Sequence, residues 1–115
     1  MKYDISVIVP FYKRDKYAIG IFKNIEKQAI KASLKTELIF VDANSRTILE
    51  KFILKQSSKK YFNCKILDTT GYVSNKRNLG IRCAQSEYLI IMDEDCVPDN
   101  NFLREHYNSL SRQLS

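Results

Sequence analysis

Two carboxylates, Asp93 and Asp95, follow directly after the apolar run Tyr88-Leu89-Ile90-Ile91-Met92. A short apolar run of this kind is typical of a buried strand, and ligands of α/β sheets bind beyond the carboxyl ends of the strands. Two unpaired carboxylates side by side are costly to bury. A divalent cation removes that cost, and carboxylate oxygens suit Mg²⁺ or Mn²⁺. The pattern therefore predicts a metal site that serves a phosphate-bearing ligand.

The elements that must position this site alternate along the chain. Short apolar, β-branched runs predict strands at residues 5–10, 37–41, 62–67 and 88–92. Apolar residues at three- and four-residue spacing predict helices from about 15 to 33, around 48–53, from 74 to 84 and from about 100 to 110, with a frayed tail beyond. This alternation predicts an α/β fold, a mostly parallel sheet of about four strands with helices on both faces and 62–67 near an edge.

Further chemical groups follow the other predicted strands. Strand one ends at Pro10-Phe11-Tyr12, strand two ends at Asp42, and Arg77 lies near the start of the third helix. In a parallel sheet the carboxyl ends of the strands meet at one edge. That edge would combine aromatic rings, carboxylates, a guanidinium and a metal, which are the groups that recognise a nucleoside diphosphate.

Four segments in this order resemble a known family. They are Ser6-Val7-Ile8-Val9-Pro10-Phe11-Tyr12, Val41-Asp42-Ala43-Asn44-Ser45, Lys76-Arg77-Asn78-Leu79-Gly80 and Ile90-Ile91-Met92-Asp93-Glu94-Asp95. Together they resemble the donor-binding half of the inverting, family-two glycosyltransferases of the GT-A fold. The resemblance runs from about residue 5 to residue 110. It implies a Rossmann-like domain that binds a nucleotide-sugar donor, with a UDP-linked sugar favoured.

The resemblance also implies roles for individual residues. Pro10, Phe11 and Tyr12 match the segment that lies along the nucleotide. Asp42 matches the acid that hydrogen-bonds the base, which in the family is usually uracil. Arg77 matches the arginine of the family's Arg-Asn-x-Gly pattern, which lies near the base and the diphosphate.

Asp93 matches the ribose-facing acid of the family's Asp-x-Asp motif and Asp95 matches the metal ligand, with Asp93 a second candidate ligand. The implied cofactor, Mg²⁺ or Mn²⁺, bridges the donor diphosphate and stabilises the leaving group. Two departures weaken the match. Ala43 and Asn44 replace a second acid and a glycine that often follow the first acid, and Cys96 stands where another acid often follows the metal motif.

The general base of the family lies beyond the last residue of this chain, so no catalytic base is assigned here. In an inverting mechanism this base, usually a carboxylate, deprotonates the acceptor hydroxyl. The expectation is that residues 1–115 form one donor-binding domain, a portion of a longer enzyme, and are inactive alone. The expected acceptor is a glycan or a lipid-linked acceptor.

The composition of the chain indicates which binding partners and which cellular location to expect. The 115 residues include 19 Lys and Arg against 13 Asp and Glu, a net charge of +6, which favours contact with anions. No signal-peptide or membrane-spanning run is present, so the expected location is cytoplasmic, with peripheral contact at the inner face of a membrane. The three cysteines, Cys64, Cys83 and Cys96, lack zinc-site spacing and are expected to be reduced thiols.

Alternative functions are separated by features of the sequence. A catalytically silent nucleotide-sugar-binding domain remains open because the acceptor half is missing. A sugar nucleotidyltransferase is less favoured, since Pro10-Phe11-Tyr12-Lys13-Arg14 has no glycine. Dinucleotide dehydrogenases and phosphate-loop nucleotidases require Gly-rich loops that are absent. No aromatic-basic sheet or recognition-helix pattern indicates nucleic-acid binding.

Overall fold

The computed structural model describes residues 2–10, 17–41, 61–67, 73–93 and 95–114. Within these residues the elements are, in chain order, β1 (Ile5–Pro10), α1 (Ala18–Ala32), β2 (Thr36–Val41), β3 (Phe62–Leu67), α2 (Val73–Cys83), β4 (Tyr88–Ile91) and α3 (Phe102–Leu114). The helix predicted around residues 48–53 lies outside the described residues. None of the described helices is long and apolar enough to span a membrane.

The four strands form one parallel sheet in the order β3-β2-β1-β4. The prediction of a parallel α/β sheet is confirmed, and β3 lies at an edge as predicted. The register aligns Pro10 with Val41 and Val41 with Leu67, so three strands end side by side. Ile91 of β4 pairs with Ile8, and the chain therefore leaves β4 close to where β1 ends.

Helices cover both faces of the sheet, as predicted. One face packs against α1 and α3, and its buried strand residues include Ile5, Val7, Val9, Leu38 and Phe40. The other face packs against α2, and its buried strand residues are Ile8, Ile39 and Val41. Every residue of β1 and β2 is buried. Burial on both faces explains why these strands are nearly continuous apolar runs.

The amino ends of β1 and β2 carry a buried polar cluster, which the sequence analysis did not identify. Glu37 has a side chain only 3% exposed and lies 2.7 Å from Lys65 Nζ. Its carboxylate accepts hydrogen bonds from Ser6 Oγ at 2.8 Å and from the Gln85 backbone N–H at 2.9 Å. Lys65 Nζ also donates to the Cys83 carbonyl at 2.9 Å. The cluster therefore ties three strands to the end of α2 and compensates a buried charge.

The last helix differs from its prediction. It begins at Phe102 and continues to Leu114, so the prediction of a frayed tail after Leu110 is wrong. The segment contains no proline or glycine to end the helix, and Arg112 Nε donates to the Asn108 carbonyl at 3.1 Å. At the other end of the helix, the Asp99 carboxylate accepts the Asn101 backbone N–H at 2.9 Å.

Gly80 allows α2 to approach β1 closely. A Cβ atom at this position would overlap the Cγ2 methyl group of Ile8, which is fully buried. Gly20, in the exposed face of α1, has no atom within 4 Å of the corresponding position. The glycine that ends the Arg-Asn-x-Gly segment is therefore a packing residue at the helix–sheet contact.

We predict opposite effects for alanine at these two glycines. Gly80→Ala is expected to lower the free energy of unfolding by about 1–3 kcal/mol, because the core must shift to admit a methyl group. Gly20→Ala, the matched control, is expected to raise it by up to about 1 kcal/mol through helix propensity. Urea unfolding measures both. Equal stabilisation by the two substitutions would contradict the close packing of α2 on β1.

Candidate functional site

The carboxyl edge of the sheet gathers the described site residues. Pro10 is buried at the end of β1. Helix α2 follows one parallel strand and precedes another, so it runs back across the sheet and its first turns lie at the carboxyl edge. Arg77 is in the second turn of that helix, and Asp93 and Asp95 follow β4. Phe11, Tyr12 and Asp42 lie outside the described residues.

A tight turn carries the two acids. The Met92 backbone N–H donates to the Ile8 carbonyl at 2.9 Å, so the sheet ladder continues one residue past β4. The Asp93 carbonyl then accepts the Cys96 backbone N–H at 3.1 Å, a hydrogen bond typical of a tight turn. We call the described residues Asp93, Asp95 and Cys96 the acidic turn; Glu94 lies outside the described residues. Both Asp93 and Asp95 are exposed on it, so their carboxylates face solvent at the edge of the sheet.

Arg77 lies beside Asp93. The distance from Arg77 Nη2 to Asp93 Oδ1 is 4.0 Å, and the two side chains are 47% and 76% exposed. An ion pair this long and this exposed contributes little to stability, because water and salt screen it. The guanidinium and the carboxylate therefore lie near each other in a weak pair, and both are accessible to a ligand.

The acidic turn offers few protein ligands for a metal. Among the described residues, no group of three or more His, Cys, Asp or Glu side chains is arranged to hold an ion. Two exposed carboxylates, however, suit a cation that takes its other ligands from a bound phosphate and from water. Mg²⁺ commonly binds in this way, through one or two carboxylates and substrate phosphates. The donor set fits a shared cation rather than a closed protein cage.

Three residues near the site received no role from the sequence. Lys76 is only 3% exposed, and it lies four residues before Gly80, on the helix face that packs against the sheet. That spacing is the signal that could have identified it as a buried cation. Asn24 and Gln28 of α1 hydrogen-bond the backbone that follows the acidic turn. Their contacts join residues more than seventy positions apart, so no local pattern indicates them.

The groups with shifted pKa values lie elsewhere. Burial raises the pKa of the Cys64 thiol above its ordinary value, which makes it a poor nucleophile. Burial, with the nearby Asp4 and Tyr88, raises the pKa of the Tyr107 hydroxyl. Tyr107 packs against Tyr88 at the start of β4, the end of the strand opposite the acidic turn. Cys64, Cys83 and Cys96 are all free thiols.

The chain matches one family model and several characterised relatives. The model described as "Glycosyl transferase family 2" matches residues 6–114. "Glycosyltransferase GlyG" of Streptococcus pneumoniae serotype 4 is 27% identical over 95% of this chain. "Minor teichoic acid biosynthesis protein GgaB" of Bacillus subtilis is 32% identical over 94% of the chain. "Cholesterol galactosyltransferase" of Borreliella burgdorferi is 31% identical over 93%. The similarity therefore spans the whole described sheet.

Solved structures share the fold. "Crystal structure of S. aureus TarS 1-349" superposes with a TM-score of 0.72 at 22% identity, and covers 95% of this chain and 32% of that one. The structure of the same protein "in complex with UDP-GlcNAc" gives a TM-score of 0.69 at 22% identity, and covers 95% and 31%. The chain spans 36%, 13% and 29% of the lengths of the three curated relatives. The match is thus to one part of longer proteins.

We predict that the two cation–carboxylate pairs differ in their effect on stability. Lys65→Met is expected to lower the free energy of unfolding by about 2 kcal/mol, because it leaves the buried Glu37 without its cation. Arg77→Met, the same kind of change in the exposed pair, is expected to change it by less than about 0.5 kcal/mol. Urea unfolding of both variants measures the difference.

Adding Glu37→Gln to the Lys65→Met variant removes the unpaired charge and should recover part of the loss. If Arg77→Met destabilises as much as Lys65→Met, Arg77 is a structural residue and its accessibility to a ligand has no functional meaning.

Proposed function

This chain belongs to glycosyl transferase family 2, and we propose that it is the donor-binding part of a glycosyltransferase. It binds a nucleoside diphosphate sugar, with UDP as the favoured nucleotide, and presents the sugar for transfer to an acceptor. One observation carries the proposal: Arg77 lies 4.0 Å from Asp93 on the acidic turn that also carries Asp95, at the sheet edge where α/β folds bind ligands. The solved complex of S. aureus TarS with UDP-GlcNAc supports the choice of ligand class.

The proposal assigns the nucleotide to the ends of β1 and β2. Pro10, Phe11 and Tyr12 lie along it, and Asp42 hydrogen-bonds the base. Val41 pairs with Pro10 in the sheet, so these two strands end side by side. That adjacency supports a shared contact with one nucleotide, although only Pro10 of the four lies within the described residues.

Asp95 is the proposed protein ligand of a divalent cation, Mg²⁺ or Mn²⁺, with Asp93 facing the ribose and available as a second ligand. When bound, the cation supplies positive charge that stabilises the leaving diphosphate. Arg77 exchanges its partner in this proposal: it releases Asp93 and contacts the diphosphate oxygens. The pair at 4.0 Å is weak enough for that exchange, since both side chains are largely accessible.

The proposed reaction is a single displacement with inversion. The acceptor oxygen attacks the anomeric carbon, the bond from that carbon to the diphosphate oxygen breaks, and the nucleoside diphosphate departs. The acceptor proton passes to a carboxylate base that the proposal assigns to an acceptor-binding part outside this chain. The residues described here bind and orient the donor, and Arg77 stabilises the charge that develops on the diphosphate.

The acceptor is proposed to be a glycan or a lipid-linked acceptor. The name of one relative, a teichoic acid biosynthesis protein, is consistent with a glycan, and that of another, a cholesterol galactosyltransferase, is consistent with a lipid. The net charge of +6 would favour an anionic membrane surface, and the proposed setting is the inner, cytoplasmic face. Equal co-sedimentation with neutral and anionic vesicles would remove the membrane contact from the proposal.

A calorimetric titration with UDP, GDP, CDP and ATP, each with and without Mn²⁺, tests the function. We expect one nucleoside diphosphate to bind, and to bind at least about tenfold more tightly with Mn²⁺, because a cation held by Asp95 would add positive charge for the diphosphate. Tighter binding of ATP than of every diphosphate would contradict the donor site.

The Asp95→Asn variant tests whether Asp95 is responsible for the tighter binding with Mn²⁺. It should abolish the Mn²⁺ enhancement and leave the metal-independent affinity for the nucleotide unchanged. Asp99→Asn is the matched control: it removes the same charge four residues away, and its amide oxygen can still accept the Asn101 N–H that Asp99 accepts. Equal losses of the enhancement in the two variants would mean that general charge, and not a ligand at Asp95, is responsible.

A further inference from the structure

The acidic turn is anchored at both ends by backbone hydrogen bonds. At its start, the Met92 N–H donates to the Ile8 carbonyl in the sheet. At its end, Cys96 is half-buried and packs against the core. Val97 is 85% exposed, and Pro98 is buried. The carbonyl groups of Pro98 and Asp99 both accept hydrogen bonds from side chains of α1.

Gln28 makes the central contacts of the second anchor. Gln28 lies in the third turn of α1, and the residue is only 6% exposed. Gln28 Nε2 donates to the Asp99 carbonyl at 2.6 Å, and Gln28 Oε1 accepts the Leu103 backbone N–H at 2.8 Å. The Leu103 N–H is in the first turn of α3, where backbone donors lack partners within the helix. One amide therefore holds both the loop and the start of the following helix.

Asn24, one turn earlier on α1, completes the arrangement. Asn24 Nδ2 donates to the Pro98 carbonyl at 3.2 Å. Asn24 Oδ1 accepts the second Nε2 proton of Gln28 at 2.6 Å. Both amide protons of Gln28 are thus used, which fixes the orientation of its side chain. We call Asn24 and Gln28 the amide clamp.

We propose that the amide clamp consists of two positioning residues that set the pose of the acidic turn, and thereby the affinity of its carboxylates for a divalent cation. The proposal rests on the proposed function. Only Cys96 and Val97 separate Asp95 from the clamped Pro98, so a shift of the Pro98 and Asp99 carbonyls is transmitted directly to Asp95. Groups that orient metal ligands without touching the metal commonly affect affinity by about 10–100-fold.

A structural role alone would give a different pattern. If the clamp only caps α3 and joins it to α1, its loss should lower the stability of the fold without a specific effect on the affinity for the cation. If it positions the acidic turn, its loss should lower the affinity for the cation more than a substitution elsewhere that destabilises the fold equally. The affinity for nucleotide without metal should change less than the affinity for the cation, because the proposed nucleotide contacts at Pro10, Phe11, Tyr12 and Asp42 do not involve the acidic turn.

The test compares two clamp variants with two controls. Gln28→Met keeps the length of the side chain and removes its hydrogen bonds, and Asn24→Ala removes only the bonds to Pro98 and Gln28. Gln85→Met makes the same chemical change at an exposed glutamine next to Glu37. Ile25→Val shortens a fully buried side chain of α1 and controls for loss of stability.

Three quantities are measured for each variant: Mn²⁺ affinity with saturating UDP, by electron paramagnetic resonance of free Mn²⁺; UDP affinity without metal, by calorimetry; and hydrogen exchange of the Cys96 amide. We expect Gln28→Met to lower the affinity for Mn²⁺ about tenfold and Asn24→Ala to lower it about threefold. In both variants the Cys96 amide should exchange faster, and metal-free UDP affinity should fall less than Mn²⁺ affinity does. The two controls should remain within about twofold of the original chain.

Unchanged Mn²⁺ affinity in a folded Gln28→Met variant would overturn the clamp and leave the proposed function intact. An equal loss in Ile25→Val would also overturn it, because general destabilisation would then explain the effect. If Gln28→Met does not fold, the milder Asn24→Ala variant decides by the same criteria. Absence of UDP-dependent Mn²⁺ binding in the original chain would overturn the proposed function, and the clamp proposal with it.

Discussion

The parallel pairing of β1 with both β2 and β4 is the constraint on which the rest of the structure depends. Parallel strands require a crossover between them, and the crossover helices α1 and α2 cover opposite faces of the sheet. The crossovers leave the carboxyl ends of the strands at one edge, next to the first turns of α2. Arg77 and the acidic turn meet there because of that connectivity, and the close approach of Gly80 to Ile8 holds the helix in place.

Charge is used differently at the two edges of the sheet. At the amino edge Glu37 is buried, and Lys65, Ser6 and a backbone N–H satisfy it. At the carboxyl edge Arg77 and Asp93 are exposed and 4.0 Å apart. A buried, satisfied cluster favours a single arrangement of the strands, whereas exposed charges keep their capacity to bind. The proposed donor site therefore lies at the edge where Arg77 and Asp93 are exposed and contribute little to the stability of the fold.

Local patterns predicted the sheet well. The bounds of β1 and β3 match their predictions, and α1 and the acidic turn lie where apolar spacing and strand order placed them. The extent of α3 was predicted poorly, because the sequence after Leu110 is mostly polar and shows no apolar spacing from which a helix could be predicted. The Glu37 cluster and the amide clamp could not be predicted, since the partners of Glu37 lie 28 to 48 positions away and the backbone groups held by the clamp lie 71 to 75 positions away. The proposed nucleotide contacts at Phe11, Tyr12 and Asp42 still rest on the resemblance and the family match.

The central claim is that a nucleoside diphosphate and a divalent cation bind together at the carboxyl edge of this sheet. Nuclear magnetic resonance of the ¹⁵N-labelled chain with UDP and substoichiometric Mn²⁺ tests it directly, because Mn²⁺ broadens the amide signals nearest to it. A six-residue strand separates the two edges by roughly 20 Å. We expect strong broadening of Asp93, Asp95 and Cys96, then of Arg77, with Glu37 and Gln85 little affected. Preferential broadening at Glu37 and Gln85 would contradict the account.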